Sequence, residues 1–196
     1  RHLHPLDHVN MSQSTNDVYP TAVKLALQLG IRRLAEEMRV LRAAFEAKAA
    51  EFQDVLKVGR TQLQDAVPMT LGQEFEAFAA TLAGELDALE RVQQQVLCEI
   101  NMGATAIGTG LNAPAGYAQK CTDHLAAITG FPIHLAENLI EATQDTQAFV
   151  LYSGCMKSLA IKLSKVCNDL RLLSSGPRCG FREINLPAKQ PGSSIM

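Results

Sequence analysis

Apolar residues return at Val23, Leu27, Ile31, Leu34, Met38, Leu41 and Phe45, in steps of three or four. That is the period of one helical stripe, and it predicts a long helix from Pro20 to about Phe52. Pro20 suits the first turn, where a missing N–H removes no bond. A second stripe, Leu71, Phe75, Phe78, Leu82, Leu86, Leu89, Val92, Val96 and Ile100, opens at Thr70 and Gln73, whose spacing fits a capping box. Each helix would be about 30 residues, so roughly 45 Å long. A shorter helix is expected from Pro114 to Thr129, stopped by Gly130 and Pro132. The last is expected from about Glu137 to Ser175, with Leu159, Leu163, Val166, Leu170 and Leu173 on one face and Gly176-Pro177 as its end. Gly154, inside that span, is expected to mark a bend or a close helix contact. No alternation of period two competes. The pattern predicts an all-α fold, a bundle of long antiparallel helices.

Four connectors between these helices are polar, Gly-bearing and rich in hydroxyl and amide side chains: His4 to Thr21, Val58 to Thr70, Gly103 to Asn112, and Gly176 to Met196. Antiparallel helices need only short turns, so long connectors of particular chemistry are where function is expected.

Composition narrows the possibilities. The 196 residues are 47% hydrophobic and 19% charged, and 18 Lys and Arg against 20 Asp and Glu give a net charge of −2. A nucleic-acid or anionic-membrane partner is not favoured, because no basic surface is available to neutralise a row of phosphates. No apolar run is long enough to span a bilayer, and Arg1-His2-Leu3-His4-Pro5 does not read as a signal peptide, so the cytoplasm is expected. The five cysteines form no CxxC pair, and no HExxH-type spacing occurs; reduced thiols and an enzyme without metal or other cofactor are the expectation.

Each connector supports a chemical reading beside a plainer one. Gln13-Ser14-Thr15-Asn16-Asp17 precedes a helix, where free N–H groups and the dipole would hold a small carboxylate; the same residues are also those that cap helices. Gly59-Arg60-Thr61-Gln62-Leu63-Gln64-Asp65 offers a guanidinium, a hydroxyl and two amides, or a solvated loop in which Arg60 pairs with Asp65. Gly103-Ala104-Thr105-Ala106-Ile107-Gly108-Thr109-Gly110 matches no nucleotide fingerprint, and its glycines are better explained by tight turns or close packing. Pro191-Gly192-Ser193-Ser194-Ile195-Met196, taken alone, reads as a disordered tail.

Together, however, four stretches resemble the aspartase/fumarase superfamily of ammonia-lyases and hydratases. They are Asp7 to Asp17, Gly59 to Glu74, Gly103 to Asn112, and Asn168-Asp169-Leu170-Arg171 through Ser193-Ser194-Ile195-Met196, in the family's order and across nearly the whole chain. The likeness is closer to aspartate ammonia-lyases than to fumarases. Fumarases typically carry His where this chain has Gln62 and favour a different segment where it reads Ala136 to Thr143, and the string Cys167 to Arg178 also resembles the ammonia-lyases.

The resemblance implies reversible deamination of L-aspartate to fumarate and ammonia by anti-elimination through an aci-carboxylate. It implies that Ser14 and Thr15 bind the β-carboxylate, that Asn16 contacts the amino group and Thr61 the α-carboxylate, and that Gln62 contacts substrate or positions its loop. Ser193 would be the general base and Ser194 would help hold the oxyanion. It further implies that the chain is a partial central helical domain, cut within the catalytic loop and lacking the family's N-terminal domain and C-terminal part. A homotetramer whose active sites each draw on three subunits would then be the working assembly, and the 196-residue piece alone would be inactive. A class II fumarase and a non-catalytic helical assembly module are the alternatives.

Overall fold

In the computed structural model, which describes residues 2–189 and 191–192, a single π-helical turn at Pro5–Val9 is followed by α1 (Thr15–Glu51). Strands β1 (Leu56–Thr61) and β2 (Gln64–Thr70) lead into α2 (Leu71–Gln95). Then come β3 (Glu99–Ile100), α3 (Tyr117–Thr129), β4 (His134–Leu135), α4 (Leu139–Gln144) and α5 (Gln147–Leu173). The helical class predicted from periodicity is the class observed. No helix of the described residues is long and apolar enough to cross a membrane.

The chain divides into two compact units, each drawing on all three long helices: residues up to Arg39 with Gly84–Cys155, and Val40–Ala83 with Met156 onward. In the first, α1 begins five residues before the expected start and carries Pro20 inside it. Proline at that position cannot bond the carbonyl of Asn16, four residues back. The buried Asn101 side chain supplies the missing donor, its Nδ2 lying 3.0 Å from that carbonyl and 3.1 Å from the Thr143 hydroxyl. The proline thereby exchanges a local bond for a long-range one.

Ile31 and Met38 are buried on α1 as the stripe predicts, whereas Leu41 is exposed, and the inward line also holds Ala35, Asp17, Thr21 and Gln28. Gln28 donates to the Leu97 carbonyl at 3.2 Å. α2 stops at Gln95, short of the predicted Ile100, because Leu97, Cys98 and Ile100 are all buried, which a single helical face cannot arrange. The chain turns extended and β3 pairs in parallel with β4. Ile100, Met102, Phe131 and Ile133 form the cluster beneath, against Leu125 and Ala126 of α3. α3 ends at Gly130 as predicted, with φ +67 and its N–H on the Ala126 carbonyl. The expected final helix is two: Asn138 caps α4 on the N–H groups of Ile140 and Glu141, and extended Asp145 ends it and accepts from Gln147 N. Asn and Asp at those places compete with helix continuation through their own side chains.

In the second unit, Phe45, Phe52, Phe75 and Phe78 stack edgewise, with ring centroids 5.5–6.1 Å apart. Each such pair contributes about 0.5–1.5 kcal/mol beyond its buried area. Leu159, Val166 and Leu173 of α5, seven residues apart, are buried in the same way. The predicted capping box is present: Gln73 N donates to Thr70 Oγ1 at 3.1 Å, and Thr70 N to Gln73 Oε1 at 3.0 Å. Within it, Gly72 lies where a Cβ would stand 2.6 Å from the Ala49 carbonyl oxygen and 2.7 Å from Gln53 Cα. Gly154, by contrast, has open space around it and lies within the continuous α5, so no close contact among the described residues requires it.

Gly72→Ala is expected to lower stability by about 1–3 kcal/mol, because the obstructing atoms are backbone and cannot step aside. A fall in the thermal midpoint of several degrees would register it; an unchanged midpoint would show that the α1 and α2 backbones do not need this approach.

Candidate active site

At the start of α1 the cap and the candidate ligand-binding residues are the same atoms. Ser14 Oγ accepts from Asn16 N at 3.1 Å, while Ser14 N donates to Asp17 Oδ1 at 2.9 Å. This is a reciprocal capping box with aspartate in the acidic position. Asp17 is fully buried, and its second oxygen accepts from Thr105 N at 2.9 Å. Asn16 Nδ2 donates to the Ala106 carbonyl at 2.7 Å, which leaves Oδ1 as the end of that amide free to face a ligand. The capping role expected as the plainer reading is therefore real, and it does not exhaust these residues. The Ser14 hydroxyl keeps its proton to donate, and Ser14 and Thr15 line an open cleft of about 460 Å³ with Asn10, Gln13, Val18, Tyr19 and Ala22.

The Gly-rich connector is the other half of this arrangement. Thr105 has φ +61, a left-handed conformation rare for a β-branched residue and costing on the order of 1 kcal/mol or more. It aims the Thr105 N–H at Asp17. Gly108 has φ +98, and a Cβ there would stand 2.3 Å from Ile140 Cα; a Cβ on Gly103 would stand 2.6 Å from Ala118 Cα. Close packing against α3 and α4 is what these glycines serve.

The connector holding Thr61 and Gln62, expected as a loop, is a β-hairpin. β1 and β2 pair antiparallel with Thr61 opposite Gln64 and Arg60 opposite Asp65, leaving a two-residue turn of Gln62 and Leu63. Both turn residues have positive φ, +49 and +65. Such turns usually take Asn-Gly, so strain is stored where a candidate substrate contact sits. Val58 and Thr61 carry the only β-branched side chains on β1, and Pro68 breaks β2's alternation; these are the reasons the hairpin is hard to read from sequence.

Beside the hairpin, four charged groups pair. Lys57 Nζ is 2.5 Å from Glu74 and 3.4 Å from Glu183, and Arg60 hydrogen-bonds Glu183 while its guanidinium lies 3.9 Å over the Phe181 ring. The expected pairing of Arg60 with Asp65 is a minor one at 3.9 Å, with Asp65 largely exposed. Burial acts to raise the Glu183 carboxyl, but the hydrogen bond from Arg60 and the charge of Lys57 outweigh it and hold Glu183 below the ordinary carboxylate value. The same hydrogen bond raises Arg60. Gln62, Lys57, Arg60 and Glu74 line a cavity of about 310 Å³ with residues of α5.

Ser14, Thr15 and Asn16 thus belong to one compact unit, and Thr61 and Gln62 to the other. Ser193 and Ser194 lie outside the described residues. Sequence reasoning missed Asn101 and Glu183 and read Asp17 only as one of several capping residues. Asp17 had a signal, the Ser-x-x-Asp spacing of a capping box, whereas Asn101 and Glu183 act over long range and left none.

Residues 1–196 match the family model described as Lyase. The chain belongs to this lyase family. Aspartate ammonia-lyase from Pseudomonas aeruginosa is 61% identical over all 196 residues, and that from Escherichia coli K12 is 57% identical. The chain spans 41% of the length of each of these relatives. Among solved structures, a fumarate lyase:delta crystallin from Brucella melitensis bound to cobalt is 59% identical with a TM-score of 0.94, over 99% of this chain and 42% of that one. A class II fumarase from Schistosoma mansoni is 36% identical with a TM-score of 0.93, over 99% of this chain and 44% of that one. In this lyase-family chain Ser14, Thr15, Asn16, Thr61 and Gln62 stand on the same helical fold as both.

Asp17→Ala leaves the Ser14 and Thr105 N–H groups without their acceptor and is expected to cost on the order of 3 kcal/mol in a denaturant titration. A loss under about 1 kcal/mol would show that water replaces the carboxylate. For Glu183 the folded value is depressed, so its stabilisation is complete above the unfolded carboxylate value near about 4.3 and is lost as pH falls through the folded one. Between neutral pH and pH 3, stability should fall less steeply in Glu183→Gln than in the unaltered protein; parallel curves would contradict this.

Proposed function

We propose that the chain is the central helical region of an aspartate ammonia-lyase, which converts L-aspartate reversibly to fumarate and ammonia without metal or other cofactor. The observation that carries this is identity of about 60% along the full chain to aspartate ammonia-lyases, against 36% to a class II fumarase. Gln62 in place of the histidine of fumarases supports the same choice.

In this reading the difficulty of the reaction is the weak acidity of the Cβ proton. Its removal places a second negative charge on the β-carboxylate, and catalysis consists largely of donors already aimed at that charge. Ser14 and Thr15 are suited to this, with hydroxyls at the positive end of α1. The ammonium group needs acceptors instead. Asn16 offers one, since its amide nitrogen is held by the Ala106 carbonyl and its oxygen is left to receive N–H from substrate. Thr61, at the end of β1, takes the α-carboxylate, and Gln62 supports it from the strained turn. Ser193, as alkoxide, takes the Cβ proton; the Cα–N electron pair leaves with ammonia as the Cα–Cβ double bond forms, and Ser194 shares the oxyanion. A serine is basic enough only when its alkoxide is stabilised and water is excluded, so the segment carrying it must close over substrate.

The longer protein is proposed to work as a cytoplasmic homotetramer in which Ser14, Thr61 and Ser193 of one chain serve different active sites. The 196-residue piece alone would then be inactive.

Full-length protein supplied with L-aspartate should release fumarate, followed by its ultraviolet absorbance. Turnover of malate with none of aspartate would replace this reading with a fumarase. Ser193→Ala in the full-length protein should lower kcat by roughly three orders of magnitude or more with helix content unchanged; retained activity would remove Ser193 as the base.

A further inference from the structure

The segment after α5 is anchored twice before it runs on toward Ser193. Its backbone folds back on the helix end: Glu183 N donates to the Leu173 carbonyl at 2.9 Å, Arg182 N to the Ser175 carbonyl at 2.8 Å, and Phe181 N to Ser175 Oγ at 3.1 Å. A Cβ on Gly180 would stand 2.3 Å from the Ser175 backbone, so this fold-back admits little else. Its side chains then reach β1, where Arg60 bonds Glu183 and lies over Phe181, and Lys57 reaches both Glu183 and Glu74. The Lys57, Arg60, Glu74 and Glu183 side chains are each at most 20% exposed, so this is a largely desolvated set of two cations and two anions. Partners in such a set are hard to remove singly, because the group left behind stays buried and uncompensated.

We propose that Glu183 is a positioning residue for the elimination: with Arg60 and Lys57 it clamps the connector after α5 onto β1, so that the chain leading to Ser193 starts from a fixed point beside the strand that presents Thr61. The proposal rests on the ammonia-lyase reading for its chemistry, while the clamp itself is a property of the fold. A general base gains from a fixed root for the chain that carries it, because misplacement by about 1 Å is enough to cost on the order of a hundredfold in rate. Glu183 touches no reacting atom in this scheme. Its effect belongs to kcat, with little change in how tightly aspartate is held by Ser14 and Thr15.

The test uses full-length protein with Glu183→Gln, Arg60→Gln and the double variant. Glu183→Gln should lower kcat for L-aspartate about tenfold or more while KM moves less than about threefold. The double variant should be no worse than the weaker single one within about twofold, since the two residues act through one contact. Independent, additive losses, an unchanged kcat, or a loss of kcat that follows the folded fraction alone would overturn the role. Should Glu183→Gln fail to fold by circular dichroism, Glu183→Asp carries the test: it keeps the charge on a shorter arm and should show the same split, with kcat reduced and KM held.

Trypsin gives a second measure that needs no turnover. Cleavage after Arg178 and Lys189 should be at least about fivefold faster in Glu183→Gln, as the population of the released connector rises; equal rates would overturn the clamp. Absence of fumarate from L-aspartate in the unaltered protein would instead overturn the ammonia-lyase reading, leaving the proteolysis to decide the clamp by itself.

Discussion

A buried carboxylate with both oxygens on backbone N–H groups is the contact on which the start of α1 depends. Asp17 holds Ser14 N on one side and Thr105 N on the other, 88 residues away. Without it the Ser14 cap loses its reciprocal bond, and the left-handed turn at Thr105 loses the acceptor that justifies its strain. The glycines of that connector follow from the same arrangement, since only a chain without side chains at Gly103 and Gly108 comes close enough to α3 and α4 for Thr105 to reach Asp17. A charge buried in this way is tolerable because each oxygen is hydrogen-bonded. Its surroundings also leave the Ser14 hydroxyl proton and the Asn16 Oδ1 unused by the fold.

The long helices were legible because their apolar period is sustained: Ile31, Met38, Leu82, Leu89, Leu159 and Val166 are buried where the stripes place them. The Thr70–Gln73 capping box was legible because it is local. What periodicity could not show are the decisions taken by distant partners. Pro20 reads as a helix start and is instead tolerated within the helix, because Asn101 supplies the missing donor. The run Leu97-Cys98-Glu99-Ile100 reads as more helix, but a strand partner at His134–Leu135 claims it. The hairpin at β1 and β2 has neither the Asn-Gly turn nor the alternation that would announce it.

The candidate site shows the same division. Residues named by the resemblance, Ser14, Thr15, Asn16, Thr61 and Gln62, could be named because the motif is contiguous. Of the residues that hold them in place, Asp17 carried the spacing of a capping box, whereas Asn101 and Glu183 carried no signal. Fold likeness is equally uninformative about substrate, since TM-scores of 0.94 and 0.93 are shared by relatives of different names. Identity along the chain and the amide at position 62 support the proposed reading, and both are statements about side chains on a common backbone.

The Pro20 exchange also bears on how the first unit is made. The Asn16 carbonyl waits for a donor 85 residues further along the chain, and that donor is itself held by Thr143. Contacts of such separation close late, because loop entropy must be met before they are rewarded. The opening turn of α1, which carries Ser14, Thr15 and Asn16, is thus completed only once the polypeptide as far as α4 has left the ribosome. During synthesis the candidate-site end of α1 would be among the last parts of its unit to become ordered, although it is among the first of that unit to be made.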